Sequence, residues 1–156
     1  MAKKNIWKKW LSGFLAAIFV LPLILNLFGV ISLKVVLTDS MSPIIKPGDL
    51  VVSANWMKPG LKDIGLYHER DVAGNYKQDV IHRVVTITAD KQYQFKGDNN
   101  QSIDALVVPE KDVVGKVVAN FTGVGNLYTP LGMLSVVSVI AGIWLVVVGV
   151  RRLRNK

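Results

Sequence analysis

The sequence predicts a mostly β domain held between two transmembrane α-helices, and three observations carry that prediction. No charged residue occurs from Trp10 to Leu33, a second apolar run fills residues 131–150, and the intervening chain breaks into short Val-rich runs separated by turn residues. With 156 residues, 51% of them hydrophobic and 19% charged, the chain is sized for one domain and is too apolar for a disordered one. The absence of cysteine excludes disulfides, thiolate nucleophiles and cysteine zinc sites, and two histidines make a His-rich metal site improbable. No cofactor and no metal are expected.

The first apolar run, residues 11–33, exceeds the roughly 20 residues a helix needs to cross a bilayer. A cleaved signal peptide would also carry the preceding Lys3, Lys4, Lys8 and Lys9, but its apolar region spans only about 7 to 15 residues. An uncleaved anchor is therefore expected, with Pro22 tolerated as a kink. The second run, residues 127–150, is followed at once by Arg151, Arg152, Arg154 and Lys156. Basic flanks mark the cytoplasmic side, so residues 1–10 and 151–156 are predicted to be cytoplasmic tails and residues 34–126 an extracytoplasmic domain. The formal charge of +8 invites a nucleic-acid reading until its position is considered. The two tails hold eight basic residues, whereas residues 34–126 hold 11 basic and 11 acidic ones. The central domain is formally neutral, and no nucleic-acid partner is expected.

Within that domain, strands are expected at 34–38, 49–55, 79–90, 92–98 and 112–122, where β-branched and aromatic runs lie between turn clusters. Residues 57–78 show no clear periodicity and are read as a loop or irregular excursion.

Chemistry concentrates in three strings. Ser40 lies in LTDSMSPIIKPGDLVV, only seven residues beyond Leu33, so a juxtamembrane position is expected from the short tether. His82, in DVIHRVV, shares a strand face with Val80 and Val84 by alternation. A neutral imidazole beside a serine hydroxyl is what nucleophile activation requires, and a carboxylate must fix the tautomer. Asp98 and Asp104, in FKGDNNQSID, both offer one. His68 beside Glu69 and Arg70 is read as solvated and outside the site. Lys46 or Lys96 could in principle form a Ser-Lys dyad, but an exposed lysine is a poor base at neutral pH.

The strings SMSP-x-x-x-PGD, IHRVV and KGDNN-x-x-x-D, in that order, resemble the signal peptidase I family in its endoplasmic-reticulum and archaeal-type branch, found also in some Gram-positive bacteria. The likeness covers most of residues 35–118. It implies the family's β-rich catalytic fold and a membrane-bound serine endopeptidase that removes signal peptides from secretory preproteins. By the same resemblance Ser40 is the nucleophile, His82 the general base, and Asp104 the orienting carboxylate with Asp98 its competitor. Thr38, two residues before the serine, is the implied oxyanion donor. The implied partners are signal peptides and the lipid bilayer, accessory membrane subunits being an open matter, and the implied location is the cell membrane. Asp39 and Ser42 depart from the family's glycine and glutamate, placing an extra carboxylate and hydroxyl beside the nucleophile. A rival reading is a non-catalytic, membrane-anchored β-domain serving as a partner subunit in a secretion complex.

Overall fold

A computed structural model describes residues 6–154, leaving out the side chains of several positions inside the two helices. Lys3, Lys4 and Lys156 of the expected tails lie outside the described residues. Helix α1 (Ile6–Leu27) contains Pro22 and leads into strand β1 (Ile31–Val35). There follow β2 (Leu50–Ala54), β3 (Ile64–Arg70), β4 (Tyr76–Ile87), β5 (Gln92–Lys96), β6 (Val107–Pro109) and β7 (Val113–Phe121). Helix α2 (Pro130–Arg154) closes the chain. Among the described residues no helix is long and apolar enough to cross a membrane.

The seven strands form one sheet in the order β1-β2-β7-β3-β4-β5-β6, and every pairing is antiparallel. The mostly β prediction holds. The return of β7 to the middle of the order makes the sheet depend on long-range pairing. The sheet also curls, since Lys34 on β1 reaches Asp79 on β4 although three strands separate them in the order. Two apolar clusters pack on it, on opposite faces, since Val80 of one and Ile81 of the other are successive residues of β4. One gathers Tyr67, Val84, Tyr93, Phe95, Val108 and Val113, with Val80 packed against it. The other gathers Met41, Ile45 and Val51 beneath Val36, Ile64, Ile81 and Val117. Full burial of a side chain the size of Met41 contributes about 1.5 to 3 kcal/mol, so this second cluster fixes the loop that carries Ser40.

Several expectations need correction. The strand expected at 34–38 lies earlier, at Ile31–Val35, and the short β6 falls outside every expected strand. The excursion expected at 57–78 contains all of β3, the strand between β7 and β4. A half-exposed strand alternates, but Gly65, Leu66 and Tyr67 are buried in succession, which erases the period-two signal. A Cβ on Gly65 would lie 2.9 Å from both Phe95 and Pro59, so the strand packs too closely there for any larger residue. His68 accordingly sits on a strand rather than in a solvated loop, bonded to Asp79 at 2.6 Å.

The first helix also ends six residues before Leu33. Gly29 adopts a φ of +68°, its N–H bonds to the Asn26 carbonyl, and the Val30 N–H reaches the Leu25 carbonyl at 2.9 Å. This is the paired bonding of a Schellman stop. Ser40 therefore follows the helix by 13 residues, and tether length no longer limits where it sits. Docking does so instead: the Asn26 side chain accepts the Leu33 N–H, and the Asn55 side chain donates to the Gly29 carbonyl. With the helix end tied to β1, a five-residue strand holds the Ser40 loop about 17 Å beyond it. The second helix starts later than the expected residue 127, after a 3-10 turn at Gly125–Tyr128. The Thr129 hydroxyl accepts the Gly132 N–H as a cap, and Pro130 occupies the first helical position.

Asp49 joins these parts. Only 1% exposed, it accepts hydrogen bonds from the Lys46 and Gly123 N–H groups and from the Asn120 amide, each at 3.0 Å. Burial pushes its carboxyl up, but the three donors outweigh burial and hold it below the usual carboxylate range. A depressed carboxylate stabilises the fold above its unfolded value near 3.9 and ceases to do so as pH falls through the lower folded value. Asp49→Asn is expected to cost about 1 to 3 kcal/mol at neutral pH. In thermal melts from pH 7 downward, the gap to wild type narrows below about pH 4.

Candidate active site

Ser40 sits in the turn after β1, with its neighbour Met41 only 2% exposed in the second cluster. Its backbone carbonyl accepts the Asn99 N–H at 2.8 Å from the turn after β5. Glycine is required there: a Cβ on Gly97 would lie 2.7 Å from both the Ser40 carbonyl oxygen and the Asn100 amide. Gly97→Ala is expected to displace the Ser40 backbone and lower any activity of this serine by about tenfold or more, read in kcat against an unchanged substrate panel.

β4 supplies His82, 8% exposed, on the face it shares with Val84 and Val80. Its Nε2 lies 3.0 Å from Ser40 Oγ, and its Nδ1 lies 2.6 Å from Asp104 Oδ2. An ionised carboxylate only accepts, so Nδ1 carries the proton and Nε2 presents its lone pair to the serine hydroxyl. The Asp104 N–H bonds to the Phe95 carbonyl at 2.9 Å, which pins the carboxylate to the edge of β5.

Tyr67 completes the array, and sequence reasoning missed it because β3 itself was unread. Its hydroxyl donates to Asp104 Oδ2 at 3.0 Å from a position 4% exposed. Burial first, and then the Asp104 carboxylate, push the phenol far above its ordinary value. Tyr67 thus remains a donor at every physiological pH, and Asp104 Oδ2 is held by two protons, one from each side.

The structure separates the two candidate aspartates. Asp98 forms a two-bond fork with Arg83, at 2.7 Å from Nε and 2.6 Å from Nη2, and makes no bond to His82. Arg83 also donates to the Lys62 carbonyl. The Asp98 bonds raise the guanidinium above its ordinary value despite partial burial. Arg83 is therefore a clamp between β4 and the turn carrying Gly97 and Asn99, another residue that the sequence reading left without a role. Thr38 Oγ1 lies 3.3 Å from Ser40 Oγ, close enough to reach an oxyanion formed there. Asp39 is exposed and Ser42 half-buried; the Ser42 N–H bonds to the Asp39 carbonyl, so these two residues shape the turn. Lys46 is exposed, and neither it nor Lys96 borders the cleft that Ser40 lines.

That cleft encloses about 740 Å³. Ser40, His82 and Asp104 stand at one end, Lys34, Tyr76 and Asp79 at the other, and Val36, Leu37 and Ile81 line the middle. β5 pairs with β4 only from Arg83 onward, which leaves the edge of β4 from Tyr76 to His82 without a strand partner on that side. The space accommodates an extended peptide whose backbone could pair with that edge. Among the described residues no three His, Asp or Glu side chains converge to hold a metal ion. No protein-family model matches the chain, and no curated protein matches it.

Proposed function

We propose that the chain is a membrane-bound serine endopeptidase of the signal peptidase I type, cutting signal peptides from secretory preproteins at the outer face of the membrane. The observation that carries this reading is the linear Ser40–His82–Asp104 array at the end of a peptide-sized cleft. In the reaction, His82 Nε2 takes the hydroxyl proton as Ser40 Oγ attacks the scissile carbonyl. Asp104 stabilises the resulting imidazolium, which then protonates the leaving amine. Water, deprotonated by the same nitrogen, hydrolyses the acyl-enzyme and restores the serine. The Thr38 hydroxyl and the Ser40 N–H are the donors for the oxyanion, a contribution of about 2.7 to 4 kcal/mol per donor in hydrolases.

Membrane placement rests on the full sequence: two charge-free runs, each flanked on its terminal side by four basic residues. It is supported by the exposed Phe28 and Trp56, which stand where α1 meets the end of β2, since aromatic side chains favour the membrane–water interface. Anchoring enzyme and substrate in one bilayer lowers the entropic cost of encounter. The deciding experiment mixes the full chain in detergent with a preprotein panel. Cleavage next to a small residue by wild type, and none by Ser40→Ala, is expected. Cleavage by both removes Ser40 from the chemistry and overturns this reading, and cleavage by neither points instead to a non-catalytic partner subunit.

A further inference from the structure

Asp104 meets His82 through one oxygen, and that oxygen is shared. Oδ2 lies 2.6 Å from His82 Nδ1 and 3.0 Å from the Tyr67 hydroxyl, and the Asp104 side chain, 16% exposed, stands on the wall of the cleft. Its backbone is fixed by the N–H bond to the Phe95 carbonyl, which leaves the carboxylate free to turn about its side-chain torsions. The ring of Phe95, fully buried, stacks on the ring of Tyr67 with centroids 4.4 Å apart and planes 20° from parallel. Phe95 thus holds both ends of the Tyr67–Asp104 bond, one through its ring and one through its carbonyl. A phenol oxygen lies on the axis about which its ring flips, so the Tyr67 hydroxyl stays in place whatever the ring does. At 4% exposed, Tyr67 also presents almost nothing to a substrate.

We infer that Tyr67 is a positioning residue for proton transfer: its hydroxyl fixes the Asp104 oxygen that faces Nδ1 and so aims Nε2 at Ser40 Oγ. The inference rests on the endopeptidase reading and deepens it. A second effect opposes this one, since a donated proton draws charge from Oδ2 and weakens its attraction for the imidazolium. Position outweighs charge. Coulombic attraction falls only as the reciprocal of distance and survives a small rotation of the carboxylate, whereas a hydrogen bond weakens steeply once its angle drops below about 120°. A carboxylate that turns takes the imidazole with it, and misplacing Nε2 by about 1 Å costs about a hundredfold. Because the hydroxyl acts on alignment and not on the substrate, the loss falls on kcat rather than KM.

Tyr67→Phe keeps the ring on Phe95 and removes the hydroxyl alone. In the full chain in detergent, with one preprotein as substrate, it is expected to lower kcat roughly tenfold to a hundredfold with KM unchanged. In an Asp104→Ala background the same substitution is expected to change kcat by less than about twofold, since no carboxylate is left to position. An unchanged or faster kcat in the single variant, a loss confined to KM, or an equal loss in both backgrounds overturns the inference. A spectroscopic readout needs no turnover. Protons on Nδ1 that bond to carboxylates resonate far downfield, and in protein labelled with ¹⁵N-histidine both His82 and His68 are expected to supply one. His68→Gln assigns the remaining signal to His82. Tyr67→Phe is expected to move or broaden the His82 signal and to leave that of His68, bonded to Asp79, in place. An unmoved His82 signal overturns the inference whatever the rates do. A moved signal with no cleavage by wild type overturns the endopeptidase and keeps the hold of Tyr67 on the Asp104–His82 pair, and cleavage with an unmoved signal does the reverse.

Discussion

Alanine at Ser40 is expected to lower kcat for preprotein cleavage by about 10⁴-fold or more while leaving the melting temperature nearly unchanged. The side chain contributes only an oxygen to the site; the loop is held by buried Met41 and by the bond from Asn99 to the Ser40 carbonyl. His82→Ala is expected to match it in kcat but not in stability, because this substitution leaves Asp104 and Tyr67 facing a void. The double variant should be scarcely slower than either single one, since both atoms serve one proton transfer. Steady-state kinetics on a single preprotein with melts in the same detergent measure these rates and stabilities. Full activity in His82→Ala would remove the histidine from the chemistry and return the lysines to consideration.

The legible parts of the fold were those whose signal is local. Four strand regions follow from Val-rich runs between turn residues, a fifth is displaced from 34–38 to Ile31–Val35, and His82 with Val80 and Val84 follows from alternation, since β4 is buried on one side there. β3 was invisible for a physical reason: a strand between two others, covered on both faces at Gly65, Leu66 and Tyr67, has no exposed face to mark with polar residues. The end of α1 was legible but was sought in the wrong signal. Charge placed it at Leu33, whereas the Asn26 and Gly29 pair, a polar residue followed by a glycine able to take positive φ, marks the stop. Hydrophobicity reports where a segment prefers to be, and capping reports where its backbone hydrogen bonds run out.

For the site, residue types in order identified the hydroxyl, the imidazole and two carboxylates, because those chemistries are confined to few side chains. What order could not supply was partnership. Tyr67 and Asp104 are 37 residues apart, and their bond depends on β3 lying next to β4, a pairing made only by tertiary structure. Arg83 was equally visible in IHRVV, yet its fork to Asp98 requires the turn after β5 to fold back over β4. The choice between the two aspartates could not be made from spacing, since both lie within one polar turn. A competing arginine made it.

That competition gives the second large effect, a crossed pair of substitutions. Asp104→Asn is expected to lower kcat by about 10³- to 10⁴-fold with little change in melting temperature. The amide is isosteric, so packing survives: with its oxygen in the Oδ2 position it accepts from both Tyr67 and Nδ1, and with its nitrogen there the Tyr67 hydroxyl turns to accept. A neutral group no longer stabilises the imidazolium, however, and an amide turned with nitrogen toward Nδ1 forces the proton onto Nε2, where it faces the serine instead of accepting from it. Asp98→Asn is expected to do the opposite. It deprives the partly buried Arg83 of its paired charge and costs about 1 to 3 kcal/mol of stability, while kcat well below the melting transition changes by less than about tenfold. The residual loss arises because Gly97 and Asn99, on the same turn, hold the Ser40 backbone. The two readouts move independently: Asp104 governs the proton and leaves the fold alone, Asp98 governs the turn and reaches the proton only through it. If Asp98→Asn abolished turnover and Asp104→Asn preserved it, the hydrogen bonds would have to rearrange on substrate binding, with His82 exchanging its carboxylate for the one now held by Arg83.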